Sequence, residues 1–463
     1  MEVNSLLRFA QAQAERSWKL KRTTVLMILA FGVLSAFAQE EPKNQFDLDL
    51  NMLGRGEMRY GGFTEGDADN RAQFLLERTR LSLGYKRQYI EAKVTAQHSG
   101  VWGQKGQGSF NLHEAWAQLN TKFGLFAKMG RQILSYDDER IIGANDWAMA
   151  ANSHDVLKLG YEGYGHKVHA ILGFNQNAEN ISGGSYYVNG SQPYKVMHTL
   201  WYHYDVPKIP IGASFLFMNI GLQSGELDNK YNPAKTEYQQ LLGGFLSYHG
   251  KRLSVEASYY HQLGTTVIDK DPDPETHDFH GIDLDAWMAS IKAQYRISKQ
   301  VEVQTGYDYL SGDDYIYVRP KGMMGTALHK TINYFKPVYG SNHKFYGMMD
   351  FFFLQAFSDS FSPGLQNLYA GVSYSPLKPL NLKATYHYLA TTTDLAGTSK
   401  TLGHDIELEA SYQVLKDARI SLGFSYMKGT ETMERLKRTE KDNDLKWAWC
   451  SLTVSPRIIS KKW

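Results

Sequence analysis

The sequence predicts an all-β protein, a transmembrane antiparallel β-barrel of about 18 strands. Apolar and polar residues alternate over runs of about ten residues, the length of a tilted spanning strand. Aromatic residues are 13% of the chain, with 30 Tyr and 22 Phe, as expected for strands that meet an apolar phase on one face. Short turns alternate with long polar loops along the chain. The clearest alternating runs are residues 90–97, 253–260, 380–388, 406–413 and 418–426.

The N-terminal segment predicts export. Basic residues at 19–22 precede an apolar run at 23–34, which Ala36-Phe37-Ala38 follows as an A-x-A cleavage pattern. The apolar run is too short for a spanning helix, which needs about 20 residues. We therefore predict an N-terminal extension and cleaved signal peptide at 1–38 and a single barrel domain at 39–463, located in the bacterial outer membrane.

Charge and cysteine usage narrow the classes further. Residues 39–463 hold 45 basic and 46 acidic side chains, a net charge of −1, which argues against a nucleic-acid partner. Cys450 is the single cysteine, so no internal disulfide is expected. Beyond residue 45 no run of 18 apolar residues occurs, so no transmembrane helix is predicted there.

The turns give the strand count. Eight tight turns, with both chain ends on the same rim, imply nine hairpins, short periplasmic turns and long extracellular loops. Residues of about 312–365 form either an extra hairpin or a large loop folded into the lumen, and the even strand number favours the loop. A barrel of this size leaves an aqueous channel. The predicted turns are 86–88, 120–124, 163–167, 205–210, 249–252, 298–300, 375–379 and 415–417.

Strand parity predicts which cations point into the lumen. Where apolar residues face lipid, the residues of opposite parity face inward. Such cations favour anionic solutes, and arginine suits carboxylate recognition. The alternative is that each cation pairs with a wall carboxylate such as Glu57. The candidates assigned by parity are Arg55, Arg59, Arg78, Arg80, Lys93 and Lys128.

A charged segment follows one strand end. The stretch MGRQILSYDDERIIGANDW at 129–147 places Asp137, Asp138, Glu139 and Arg140 in a loop that lies at the extracellular mouth or folds inward as a constriction. A salt-bridge network that pins the loop and a calcium site both explain this density of carboxylates. We favour pinning, because no spaced oxygen-ligand pattern is complete, and we predict no metal site.

The segment GRQILSYDDERIIGANDW resembles the signature of the alginate export porin family, and residues 339–352 and 402–433 resemble later segments of its bacterial members. The resemblance implies an 18-stranded barrel with an arginine-rich constriction that passes anionic uronate polysaccharide. The matching motif positions are Arg131, Asp138, Arg140 and Trp147. Among these positions, the resemblance implies a polysaccharide contact only for Arg131. We also count Arg140 among the candidate lumen cations and place Trp147 at the mouth.

The predicted function is passive or facilitated passage of an anionic oligosaccharide, polysaccharide or small solute, without enzyme chemistry or a cofactor. The partners expected are that solute and outer-membrane lipid; the sequence indicates no periplasmic partner. A barrel hydrolase is the first alternative, although neither G-x-S-x-G nor H-E-x-x-H occurs. An adhesin or structural barrel that acts through its loops is the second.

Overall fold

A computed structural model describes residues 43–60, 71–106, 108–176, 194–225, 234–269, 279–313, 331–350, 352, 362–394, 398–437 and 444–463. The predicted signal peptide lies outside the described residues. Among the residues described, no helix is long and apolar enough to cross a bilayer. The one α-helix in this part of the chain is the short segment Glu431–Lys437.

The described chain is almost entirely β-structure. The strands, in chain order, are β1 (Gln45–Tyr60), β2 (Arg71–Arg87), β3 (Ile90–Val101), β4 (Ser109–Asn120), β5 (Leu125–Gln132), β6 (His154–Gly163), β7 (His166–Phe174), β8 (Val196–Asp205), β9 (Ile211–Ser224), β10 (Lys235–His249), β11 (Leu253–Asp269), β12 (Phe279–Arg296), β13 (Val301–Leu310), β14 (Thr331–Ile332), β15 (Leu365–Leu377), β16 (Leu380–Ala390), β17 (Thr401–Leu415), β18 (Ala418–Gly429), β19 (Leu445–Val454) and β20 (Arg457–Lys462).

These strands close on themselves. Consecutive strands pair antiparallel from β1 to β13, β13 then pairs with β15, and the ladder continues to β19. Both β19 and β20 pair with β1, so β20 completes the last spanning strand beyond the bend at Ser455 and Pro456. Within the described residues this gives 18 spanning strands, the predicted number, with β14 as a two-residue addition parallel to β12.

Each predicted tight turn falls at the junction of two consecutive strands, and both described chain ends reach the same rim. The Asn44 amide donates to the Trp463 carbonyl at 2.8 Å, and the Trp463 amide donates to the Asn44 carbonyl at 3.0 Å. The two ends therefore extend the β1–β20 ladder, which leaves no open sheet edge there.

The two faces of the wall differ as the alternation predicts. Leu408 and Leu422 point outward and are each 49% exposed, whereas Glu407 is 5% and Ser425 0% exposed inside the barrel. A one-residue slip would reverse these faces, so the alternation fixes the register. The outward face carries a belt of exposed apolar side chains of the kind that transmembrane barrels present to hydrocarbon.

Two segments fill much of one end of the lumen. We call residues 133–153, between β5 and β6, the first inward loop, and residues 331–350 the second inward loop. Ile141 and Ile142 of the first and Phe335 of the second are almost fully buried. The main apolar core of the described chain lies where these two loops pack against the inner wall.

Candidate solute-binding lumen

The first inward loop has a tightly folded backbone. Asp137, Glu139, Asn145 and Ala151 all have positive φ, between 47° and 69°. Left-handed backbone at a residue with a side chain costs about 1–3 kcal/mol and persists only where contacts hold it. Contacts with the wall and with the second inward loop therefore hold this backbone in place.

The two inward loops form one unit. The Tyr339 amide donates to the Ile141 carbonyl at 2.9 Å, and the Gly143 amide donates to the Tyr339 carbonyl at 2.9 Å. A Cβ atom added at Gly340 would lie 2.2 Å from the Arg140 carbonyl oxygen, so only glycine permits this approach. The sequence predicted that the charged segment folds at the mouth or inward, and the structure places it inward.

Arg140 joins both loops to the wall. Its Nε lies 3.2 Å from an Asp138 carboxylate oxygen, and its Nη2 lies 3.1 Å from Asp308 on β13. Its Nη1 donates to the Tyr346 hydroxyl at 2.8 Å. Burial alone would lower the pKa of Arg140, but the carboxylates of Asp308 and Asp138 hold that pKa well above its usual value. Arg140 is 4% exposed, so its guanidinium is used by these contacts within the lumen.

Asp137 holds the base of the first inward loop against the wall. Its Oδ1 accepts hydrogen bonds from the Trp201 indole at 3.1 Å and from the Ser214 hydroxyl at 2.5 Å. Burial raises the pKa of Asp137, and these two hydrogen bonds oppose that change. Asp137 therefore attaches the loop to the wall through hydrogen bonds, and Asp138 pairs with Arg140 within the loop. No group of three or more potential metal ligands occurs among the described side chains.

Glu139 links the first inward loop to the second. Its carboxylate lies 2.5 Å from Lys344 Nζ and accepts hydrogen bonds from Ser341 at 2.8 Å and from Ser135 at 2.5 Å. Burial raises the pKa of Glu139, but Lys344 and the two serines lower it by more, so its pKa lies below the usual value.

This link predicts an acid sensitivity. Because the folded pKa is lowered, the stabilisation is complete above the ordinary glutamate pKa and is lost as pH falls through the folded value. We expect Glu139→Gln to loosen the loops at neutral pH, measured as faster hydrogen exchange at 133–153, and to reduce the change seen on acidification. Equal acid responses in the variant and the wild type would contradict this role.

The predicted arginine cluster faces inward but largely serves the first inward loop. Arg55 donates to the Trp147 carbonyl at 2.9 Å, and its guanidinium lies 3.8 Å from the Trp147 ring centre. Arg78 donates to the Asp146 carbonyl at 2.8 Å. The Asp146 carboxylate lies 3.2 Å from Arg78 and 2.5 Å from Arg80. Trp147 therefore lies inside the lumen, whereas the sequence predicted it at the mouth.

Arg59 and Lys93 also face inward, and both are paired with wall carboxylates. Arg59 lies 2.8 Å from Glu57, which also accepts a hydrogen bond from the Trp447 indole at 3.0 Å. Lys93 lies 2.5 Å from Glu114. The alternative of wall pairing, left open by the sequence, therefore describes these two cations.

Arg131 points away from the lumen. It lies opposite Ala115 and forms an ion pair with Asp155, 2.6 Å apart, on the outer surface near Leu112. Its parity is that of Met129, which is 69% exposed on the outward face. The structure therefore places Arg131 outside the lumen, whereas the motif led us to count it among the lumen cations without applying strand parity.

Lys128 and Lys158 form a pair of cations on the lumen wall. They are direct partners across β5 and β6, and both point inward. Lys128 Nζ lies 3.5 Å from the Trp116 ring centre, and Lys158 Nζ lies 5.6 Å from that of Phe126. Neither lysine has an ion-pair partner among the described residues, so both keep their charge available to a solute.

Sequence reasoning missed two lysines of the lumen, Lys158 and Lys336. Lys158 was detectable, because Leu157 and Leu159 have outward parity. Lys336 of the second inward loop could not be detected in this way, because its segment does not alternate as a strand does. Its backbone bonds Gln262 of β11 in both directions, with distances of 3.1 and 2.8 Å, and its side chain is exposed to the lumen.

Solved bacterial structures share the architecture of this chain, and one of them is named a porin. Pseudomonas aeruginosa OpdQ is 15% identical, with a TM-score of 0.56 over 90% of this chain and 98% of that chain. Pseudomonas aeruginosa OccK2 (OpdF) in complex with glucuronate is 12% identical, with a TM-score of 0.56 over 89% and 98%. A BenF-like porin from Pseudomonas fluorescens Pf-5 is 12% identical, with a TM-score of 0.56 over 89% and 99%.

At these identities the similarity establishes the fold of the chain. No protein-family model and no curated protein sequence matches it. The resemblance to alginate export porins therefore rests on the sequence segments alone, and none of the three similar structures carries that family's name.

Proposed function

We propose that the protein is an outer-membrane channel that passes small anionic solutes, with uronate-type sugars as the preferred class. The observation that carries the proposal is the pair of inward lysines, Lys128 and Lys158, which lack carboxylate partners in the described part of the chain. A carboxylate solute supplies the missing negative charge, and cations along a pore favour anions.

The location in a membrane is supported by the outward face. Large apolar side chains are exposed around the wall, and burying them in hydrocarbon stabilises the barrel by roughly 25 cal/mol per Å². The closed ladder also satisfies the backbone hydrogen bonds within the wall. The apolar belt, the closed sheet and the polar lumen therefore favour an outer-membrane channel.

The solute class is supported by three separate features. The two inward loops narrow the lumen, which favours a small solute over an extended polymer. Trp116 and Phe126 provide flat apolar surfaces beside the two lysines, on which a sugar ring can pack. OccK2, which has the same fold, binds glucuronate in its solved structure. Alginate itself remains the finer prediction from the sequence resemblance.

Planar-bilayer recordings of the refolded protein test this proposal. We expect the wild type to conduct. In a KCl gradient its reversal potential should have the sign of an anion-selective pore. Lys128→Gln/Lys158→Gln is expected to remove most of that preference while changing the conductance little, because neither lysine holds an inward loop. Glucuronate is expected to block the wild type more strongly than the variant.

A matched control removes the same charge outside the lumen. Lys299 and Lys416 lie in exposed turns, so Lys299→Gln/Lys416→Gln is expected to keep the wild-type reversal potential. A wild type without conductance or anion preference would contradict the proposed function. Equal effects of the two double variants would show that net charge, and not the lysine pair, sets the selectivity.

A further inference from the structure

The Asp146 carboxylate covers two arginines on the side that faces the pore. Its side chain is 58% exposed, whereas the side chains of Arg78 and Arg80 are 3% and 11% exposed. The carboxylate bridges them, at 3.2 Å from Arg78 Nη2 and 2.5 Å from Arg80 Nη1. A solute carboxylate can therefore reach this arginine pair only by taking the place of Asp146.

Bonds to main-chain carbonyls also hold the loop at this position. Arg78 Nη1 donates to the backbone carbonyls of Asp146 at 2.8 Å and Ala148 at 3.3 Å. Arg55 donates to the Trp147 carbonyl at 2.9 Å, and Gln97 donates to the Ala150 carbonyl at 3.0 Å. These main-chain bonds hold the segment 146–150 while the Asp146 side chain rotates toward the open lumen.

The arginine pair also carries more donors than the loop uses. Arg78 Nε and Arg80 Nη2 have no hydrogen-bond partner among the described residues, although both atoms are buried. Two guanidinium groups face one carboxylate here, which leaves a local excess of positive charge. Arginine presents its donors in a planar fork that matches a carboxylate.

We propose that Asp146 is a tethered competitor for the solute carboxylate, so that Arg78 and Arg80 form a second anion subsite that opens when Asp146 turns away. The inference rests on the proposed anion channel and adds a specificity-determining residue to it. Asp146 weakens anion binding at this subsite and thereby shortens the time that a solute remains bound. A channel benefits, because a solute must leave as readily as it enters.

Asp146→Asn tests this assignment, with potassium glucuronate as the probe. The variant keeps the side-chain shape but loses the competing charge. We expect it to bind glucuronate roughly tenfold more tightly in current-block titrations, the fold-change of a weak charge-assisted hydrogen bond. The ratio of glucuronate to glucose permeation should rise, and Arg80→Gln in the Asp146→Asn background should reverse the gain.

Two outcomes would overturn it. Unchanged glucuronate affinity in Asp146→Asn would show that the carboxylate does not compete. An equal rise in glucose and glucuronate passage would show that Asp146 is only a pin for the loop. The channel proposal fails if the wild type lacks anion preference. The role of Asp146 is decided separately, by the difference in glucuronate affinity between the variant and the wild type.

Discussion

Replacing Arg140 with glutamine is expected to release both inward loops and to produce a larger rise in single-channel conductance than any other single substitution in the lumen. Arg140 connects the first loop, the second loop and β13, through ion pairs with Asp138 and Asp308 and a hydrogen bond to Tyr346. Removing one partner of a buried ionic network costs about 3–5 kcal/mol, because the remaining carboxylates are left without compensation.

The measurement for Arg140→Gln combines conductance with hydrogen exchange. Exchange should become faster at 133–153 and 331–350, while the wall strands keep their protection. The control is Arg140→Gln/Asp308→Asn, which removes both buried charges and should recover part of the protection. Wild-type conductance and exchange in Arg140→Gln would show that the backbone ladder at Ile142 and Tyr339 holds the loops by itself.

The wall was predictable because its signals are local and periodic. Alternation placed Glu407 inward and Leu408 outward, and the turns gave the number of strands. The same rule located Arg55 and Arg78 on the inner face. The same rule also gives the observed direction of the Arg131 and Lys158 side chains, since each follows the parity of its own strand. Parity was therefore more informative than motif membership in this part of the chain.

The lumen interior was less predictable because its contacts join distant parts of the sequence. Arg140 meets Tyr346 across 206 residues, and Arg55 meets Trp147 across 92. No periodic pattern relates those positions. Parity shows that a cation faces inward, but only the position of the loop shows whether that cation anchors the loop or contacts a solute. Asp138 and Glu139 were assigned to pinning from charge density, without their partners.

The function of the arginines can be separated from that of the lysines by two variants of equal charge. Arg55→Gln/Arg78→Gln is expected to raise the conductance, because it removes charge-assisted bonds to the Trp147 and Asp146 carbonyls. Each such bond stabilises the loop by roughly 1.5–3 kcal/mol. Lys128→Gln/Lys158→Gln removes the same charge from groups that make no bond to either loop, and should lose selectivity at nearly constant conductance.

Comparing the two double variants distinguishes cations that hold the first inward loop from cations that select the solute. If Arg55→Gln/Arg78→Gln keeps the wild-type conductance and loses anion preference, these arginines are the filter that strand parity first suggested. A conductance rise with part of the anion preference retained assigns them to the wall that holds the first inward loop. The remaining preference then comes from Lys128 and Lys158, whose charge is not matched by a carboxylate in the described chain and is therefore available to a passing anion.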